Sequence, residues 1–173
     1  MCLVMDRDLL LGCILLLVIG YMLIFKRNDL VRPLLVATGL ALIWTYIARE
    51  QYGYNAPVTV LFSLNLYALF AWILSMLFSY QLYKILHRRF PVKKLWQKLA
   101  LYNSFYLPLL ILLETVAYYN FGVVNLATAK YSGLPICNCI HAPHWMQLAY
   151  ILMGSIYMIL VYLSYRIVAR KHL

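Results

Sequence analysis

"LLLGCILLLVIGYMLIF" fills Leu9–Phe25, and Lys26 and Arg27 follow it directly. No charged residue interrupts the run. A helix over it rises about 26 Å, close to the roughly 30 Å hydrocarbon core of a bilayer. Backbone N–H and C=O groups find no water there, so a helix, which satisfies them internally, is the form such a run takes. The same reasoning predicts four further spans, over Leu30–Ala48, Val58–Tyr83, Leu99–Gly122 and Met146–Val168.

Composition agrees with that reading. Of 173 residues, 65% are hydrophobic and 12% charged, whereas a soluble domain averages about 45–50% and about 25%. Residues 1–173 therefore read as a single transmembrane domain, an all-α polytopic membrane helix bundle of five transmembrane helices. The net charge of +10 does not point to nucleic acid. The basic residues hug the ends of apolar runs, and no basic stripe with interleaved aromatics lies outside them.

Charge placement sets the expected orientation. Twelve Lys and Arg lie in the first and third connections, after the fifth span, or at the span ends that border them (Arg32 and Arg166); Arg7, Arg49 and Lys130 fall on the alternate side. The positive-inside rule then puts the N-terminus outside and the C-terminus in the cytoplasm, in a plasma membrane or a bacterial inner membrane. Asp6, Arg7 and Asp8 precede the first run, and a cleavable signal would carry positive charge there; none is expected.

Two stretches echo each other. "QYGYNAPVTV" begins at Gln51 and "NFGVVNLATA" at Asn120, each reading amide, aromatic, glycine, with Thr59 and Thr128 in matching places. The spans that follow end alike, in "SYQLYKILHRR" from Ser79 and "SYRIVARKH" from Ser164. The offsets differ by about sixteen residues, which fits a duplicated two-helix unit with a segment near Lys130–Trp145 added to the second copy. Chance likeness between two apolar sequences is the alternative.

That added segment holds "GLPICNCIHAPHWMQ", Gly133–Gln147. Cys137, Cys139, His141 and His144 read C-x-C-x-H-x-x-H within the outer loop at 130–145. Thiolate and imidazole are ligands of zinc and copper, and Met146 adds a thioether. Alternation puts the first three on one side of an extended strand, and His144 returns after Pro143. A disulfide from this loop to Cys2 is a rival reading, and simple packing over the helix ends is a third.

Glu114 is the one carboxylate well inside a predicted span. Such a group costs a few kcal/mol in lipid and turns toward the bundle or a cavity. Asn65 is expected at similar depth in the third span, and Asn120 near the outer boundary. Ala117 and Phe121 share the Glu114 face, with Tyr118 beside them. Together Glu114, Asn65, Asn120 and Tyr118 predict a polar outer-leaflet pocket; a Glu114–Asn65 bond that merely joins two helices is the alternative. Of the sixteen tyrosines, Tyr46, Tyr52, Tyr54 and Tyr150 suit an interfacial belt. A Tyr-lined cavity would suit a long apolar ligand with a polar or cationic centre.

In "IWTYIAREQYGYNAP", Trp44, Ala48, Gly53 and Pro57 fall at intervals similar to those of the carotenoid-cyclase membrane domains. Those domains carry paired acids in the next helix. "LFSLNLYALF" has none, so the likeness implies no catalytic part.

The phosphate-loop, nucleophile-elbow and zinc-protease motifs are missing. The first functional expectation is a membrane protein whose exoplasmic Cys/His loop binds a metal or acts in redox and caps the pocket, as an accessory subunit of a membrane complex. The alternatives are a membrane enzyme acting on an isoprenoid or lipid with Glu114 as catalytic acid, and a structural membrane subunit. The expected partners are the lipid bilayer, other membrane subunits or a second copy of the chain, and an apolar lipid-like ligand.

Overall fold

The computed structural model describes residues 7–55, 57–119, 122–134, 138 and 140–170, with side chains as far as Ile167. Five helices carry the fold: α1 Arg7–Ile24, α2 Asn28–Ile47, α3 Leu66–Arg89, α4 Leu95–Tyr119 and α5 His144–Arg170. Each is long and apolar enough to cross a membrane. Two short strands, β1 Val60–Leu61 and β2 Leu64–Asn65, precede α3.

The third helix departs from the sequence reading. It starts at Leu66, not Val58, and runs past Tyr83 to Arg89. Val60 and Leu61 pair antiparallel with Asn65 and Leu64. Phe62 and Ser63 between them have φ of +50° and +64°, the left-handed pair that matches the twist of a tight hairpin. Asn65 then starts the helix, its Oδ1 accepting the Ala68 N–H at 3.1 Å. The amide caps the helix, so Asn65 marks a boundary and is not embedded in a span. The hairpin tip is apolar and open, with Phe62 86% exposed.

Helices α2, α3, α4 and α5 form a closed ring, each packed on two neighbours, and α1 lies outside it against α3. Ala37, Ala41, Thr45 and Ala48 are fully buried along one face of α2. Small side chains let helices approach closely where lipid gives no hydrophobic drive to association. Met76, Tyr102, Tyr106 and Tyr157 fill the ring. Gly154 of α5 takes the Tyr106 ring against its backbone; a Cβ there would stand 2.7 Å from Cγ and 2.8 Å from Cε1.

Buried hydroxyls tie the helices. Tyr106 donates to the Tyr150 carbonyl at 2.8 Å, and Tyr157 to that of Pro33 at 3.2 Å. Pro33 sits inside α2 and has no N–H, which frees the carbonyl four residues before it. That carbonyl is Asp29's, and Tyr165 of α5 donates to it at 2.7 Å. The Asp29 carboxylate also takes Arg27 and Lys84. This cluster marks the basic end of the bundle; the loop end lies opposite.

Candidate functional site

A cavity of about 870 Å³ runs along α3. Leu11, Ile14, Val18 and Tyr21 of α1 form one wall, and α4 from Leu110 to Tyr118 forms another. The α3 residues lining it run from Tyr67 to Gln81, about 21 Å of helix. Both α1 and α4 pack on α3 but make no extended contact with each other, and the space between them is this cavity.

The loop end is roofed by Tyr52, Tyr54, Val123, Asn125, Ile140 and His141. Two asparagines hold the roof together. Asn55 Nδ2 donates to the Gly122 carbonyl at 2.8 Å, and its Oδ1 accepts the Val124 N–H at 3.1 Å. Asn125 Nδ2 donates to the Gln51 carbonyl at 2.7 Å, and its Oδ1 accepts the Gly53 N–H at 3.0 Å. Tyr54 and Asn125 also form an antiparallel bridge. The two stretches that echo in sequence are thus paired in space.

A second anchor is Gln147, buried at the start of α5. Its Nε2 donates to the carbonyls of Ser132 at 2.8 Å and Ile140 at 3.3 Å, pinning both sides of the Cys/His segment. Ile140 has φ +56°. A β-branched residue held there costs about 1–3 kcal/mol and persists only where its surroundings over-determine it. Here the Gln147 bond and burial against the cavity do so.

Glu114 lines the cavity near the roof. Among the described residues nothing donates a hydrogen bond to its carboxylate or forms an ion pair with it. Aromatic rings surround it: Tyr52, Tyr54, Tyr67, Trp72, Tyr118 and Tyr150 line the same end. Tyr54 meets Tyr67 edge-on at 4.9 Å, Trp72 meets Tyr150 at 5.0 Å, and Tyr118 stacks on His141 at 5.5 Å.

Tyr52 organises that cluster. Its hydroxyl oxygen accepts from the indole N–H of Trp44 at 2.8 Å and of Trp72 at 2.9 Å. Both lone pairs are then used, so Tyr52 donates its own proton toward Tyr150, 3.4 Å away. Burial pushes the Tyr52 hydroxyl up to about 12, so the proton stays on it at neutral pH.

The residues singled out by sequence separate. Glu114 and Tyr118 line the cavity with His141. Asn65 caps α3 and does not line it, so no Glu114–Asn65 bond forms. Asn120, Cys137 and Cys139 lie outside the described residues. His144 opens α5 and is exposed. His141 Nδ1 is 2.9 Å from the Tyr131 carbonyl. A carbonyl only accepts, so Nδ1 carries the hydrogen and Nε2 is the ring nitrogen left for another partner. Among the described residues no three His, Cys, Asp or Glu side chains gather as a metal group.

The roof residues Asn55, Asn125 and Gln147 were not anticipated as anchors. Tyr118 lines the cavity as the sequence predicts, whereas the belt role fits only part of its set. Tyr46 is exposed, as a belt residue should be, but Tyr52, Tyr54 and Tyr150 turn into the cavity. Trp44 and Trp72, each 6–7% exposed, are the signal that points to them, since a buried indole N–H needs an acceptor. No protein-family model, no curated protein and no solved structure matches the chain.

Proposed function

We propose that this is a multi-pass membrane protein that holds an apolar, lipid-like ligand in the cavity along α3, with the ligand's polar end at Glu114. One observation carries the reading: a long apolar channel ends at a lone carboxylate ringed by tyrosines. A carboxylate kept in such a place is a cost without a use unless something meets it. The orientation is N-terminus outside and C-terminus cytoplasmic, in a plasma or bacterial inner membrane, and it rests on the charge asymmetry. The ring order of α2–α5 and the mutual hold of the Asn55 and Asn125 loops support a duplicated two-helix unit; a homologue whose second unit lacks residues 130–145 is the expected relative, and homologues whose two units cannot be aligned in register would reject it.

The ligand reading is tested on protein purified in a maltoside detergent. Organic extraction and mass spectrometry should recover one apolar compound in near-equal amount to wild-type protein and far less from Ala71→Trp, which fills the channel. Equal recovery from both proteins would reject the reading.

Two further readings remain proposals. Glu114 facing an apolar channel also suits a membrane enzyme that protonates an isoprenoid or lipid. The His141 geometry suits zinc or copper held by Cys137, Cys139, His141 and His144, because an Nδ1–H fixed by a carbonyl orients Nε2 for a metal.

A further inference from the structure

We infer, resting on the ligand reading above, that the cavity takes a single-chain amphiphile with a cationic head, an alkylammonium, seated with its head at Glu114. The two ends of the cavity differ in charge. Glu114 is the only Asp or Glu among the described residues that line it. Arg27 is the only Lys or Arg among the described residues that line it. Arg27 lies at the basic end, where Asp29 holds it through bonds of 3.0 and 3.2 Å. Arg7, near the loop end, does not line the cavity. Among the described residues no Lys or Arg on the cavity wall is therefore free to answer Glu114, and His141, on the same wall, turns its Nδ1–H to the Tyr131 carbonyl.

The chemistry around the carboxylate selects a cation over other heads. Aromatic rings carry negative faces, and a cluster of them attracts an ammonium group most strongly where water is excluded. Tyr52 stacks on Tyr54 at 6.3 Å, and Tyr54 meets Tyr67, so several rings border one small volume together with Trp72 and Tyr150. Charge attraction also grows as the local dielectric falls. A phosphate or carboxylate head would bring like charge against Glu114 with no cation between them. An uncharged hydroxyl head hydrogen-bonds a carboxylate but leaves its charge unbalanced. Beyond the head, Leu11, Ile14, Val18, Leu74 and Phe78 line the way toward the basic end, which suits one alkyl tail.

The test uses the full chain in neutral maltoside micelles, titrated with dodecyltrimethylammonium, dodecanol or dodecyl phosphate. Trp72 lines the cavity, so tryptophan emission reports binding. Partitioning into detergent is the same for wild type and variants and cancels in the ratio of affinities between them. Wild type should favour the ammonium over the alcohol by at least about tenfold, with the phosphate weakest. Glu114→Gln should bring that ratio to within about twofold, with its folding checked independently by circular dichroism and melting temperature in the same micelles. Tyr67→Leu keeps the carboxylate and removes one ring, and should lower the ratio several-fold; it decides the matter if Glu114→Gln does not fold. A wild type that binds ammonium and alcohol alike overturns the charge inference and leaves the ligand reading standing. A Glu114→Gln that keeps the full preference overturns the seat at Glu114. A wild type that saturates with none of the three probes overturns both.

Discussion

Asn55 and Asn125 each complete the backbone of the other's loop. Each amide donates to a carbonyl and accepts from an N–H on the opposite strand. Their side-chain bonds all run to backbone, and they fix the roof of the cavity, which Asn125 itself helps to line. Asn125 is half-buried and Asn55 exposed. Asn125→Ala should therefore destabilise more, by about 1–3 kcal/mol, against about 0.5–1.5 kcal/mol for Asn55→Ala. The double variant should cost less than the sum, because either loss releases the same pair of loops. Thermal unfolding in detergent measures all three, and strict additivity would mean the loops do not act as one unit.

Tyr52→Phe removes one oxygen and strands two indole N–H groups, those of Trp44 and Trp72. Each stranded group costs about 1–3 kcal/mol, so the loss should exceed that of an ordinary single hydrogen bond. Tryptophan emission should shift to the blue as well.

The same hydroxyl gives a pH dependence with a definite sign. Burial raises it to about 12, above the roughly 10 of an unfolded tyrosine. Its contribution is complete below the unfolded value and lost as pH rises toward the folded one. The difference in melting temperature between wild type and Tyr52→Phe should hold to about pH 10 and shrink above it. A difference that shrinks already between pH 7 and 9 would contradict the buried, protonated hub.

Gly154→Ala should be among the more damaging single-methyl additions. The Tyr106 ring lies against this glycine and cannot swing aside, because its hydroxyl is bonded to the Tyr150 carbonyl and its face stacks on Tyr102 at 5.8 Å. Overpacking of this kind costs about 1–3 kcal/mol. Tyr106→Phe in the same chain should not relieve it, since the ring and not the hydroxyl occupies the space. Relief by Tyr106→Leu, measured by melting temperature, is the expected rescue.

Orientation is checked by labelling single cysteines with an impermeant reagent in intact cells. Positions in 130–134 should react, and positions between Arg88 and Lys98 should not. Reaction of both from outside would break the alternation of the five helices and move the cavity roof to the other face.

Metal content is decided by elemental analysis of purified protein. If Cys137, Cys139, His141 and His144 hold zinc or copper, about one ion per chain should be found, lost in Cys137→Ser and released as the ligands protonate at lower pH. His141→Gln should also lose it. Less than a tenth of an ion in protein purified without chelator would rule out a resident metal.

The helices were legible because each is an apolar run long enough to cross a bilayer, with charge near its ends. The error at 58–65 shows the limit of that rule. "VTVLFSLNL" is as apolar as a span, and apolarity is the same in a hairpin as in a helix. What separates them is Asn65, whose side chain caps, and the β-branched run Val58, Thr59, Val60. Glu114 was legible as a cavity residue because lipid leaves a carboxylate few other places. Tyr118 was legible beside it, but Tyr52, Tyr54 and Tyr150 were not, because a tyrosine at a span end looks alike whether it faces headgroups or a cavity. The echo between Gln51–Val60 and Asn120–Ala129 marked the two loops that meet, though a repeat in one dimension carries no sign of contact in three.

Asp29 takes Arg27 from the turn after α1, Lys84 from α3 and the Tyr165 hydroxyl from α5. At the far end α1 is tethered through Asp8, which accepts the Thr59 N–H at 2.9 Å from beside the hairpin. The first helix, about 27 Å long, is thus tied to the rest of the bundle at both ends, through Asp29 and through Asp8, with α3 as its main packing partner between them. Loss of either tie should free one end of α1 while the ring of the other four keeps its own contacts.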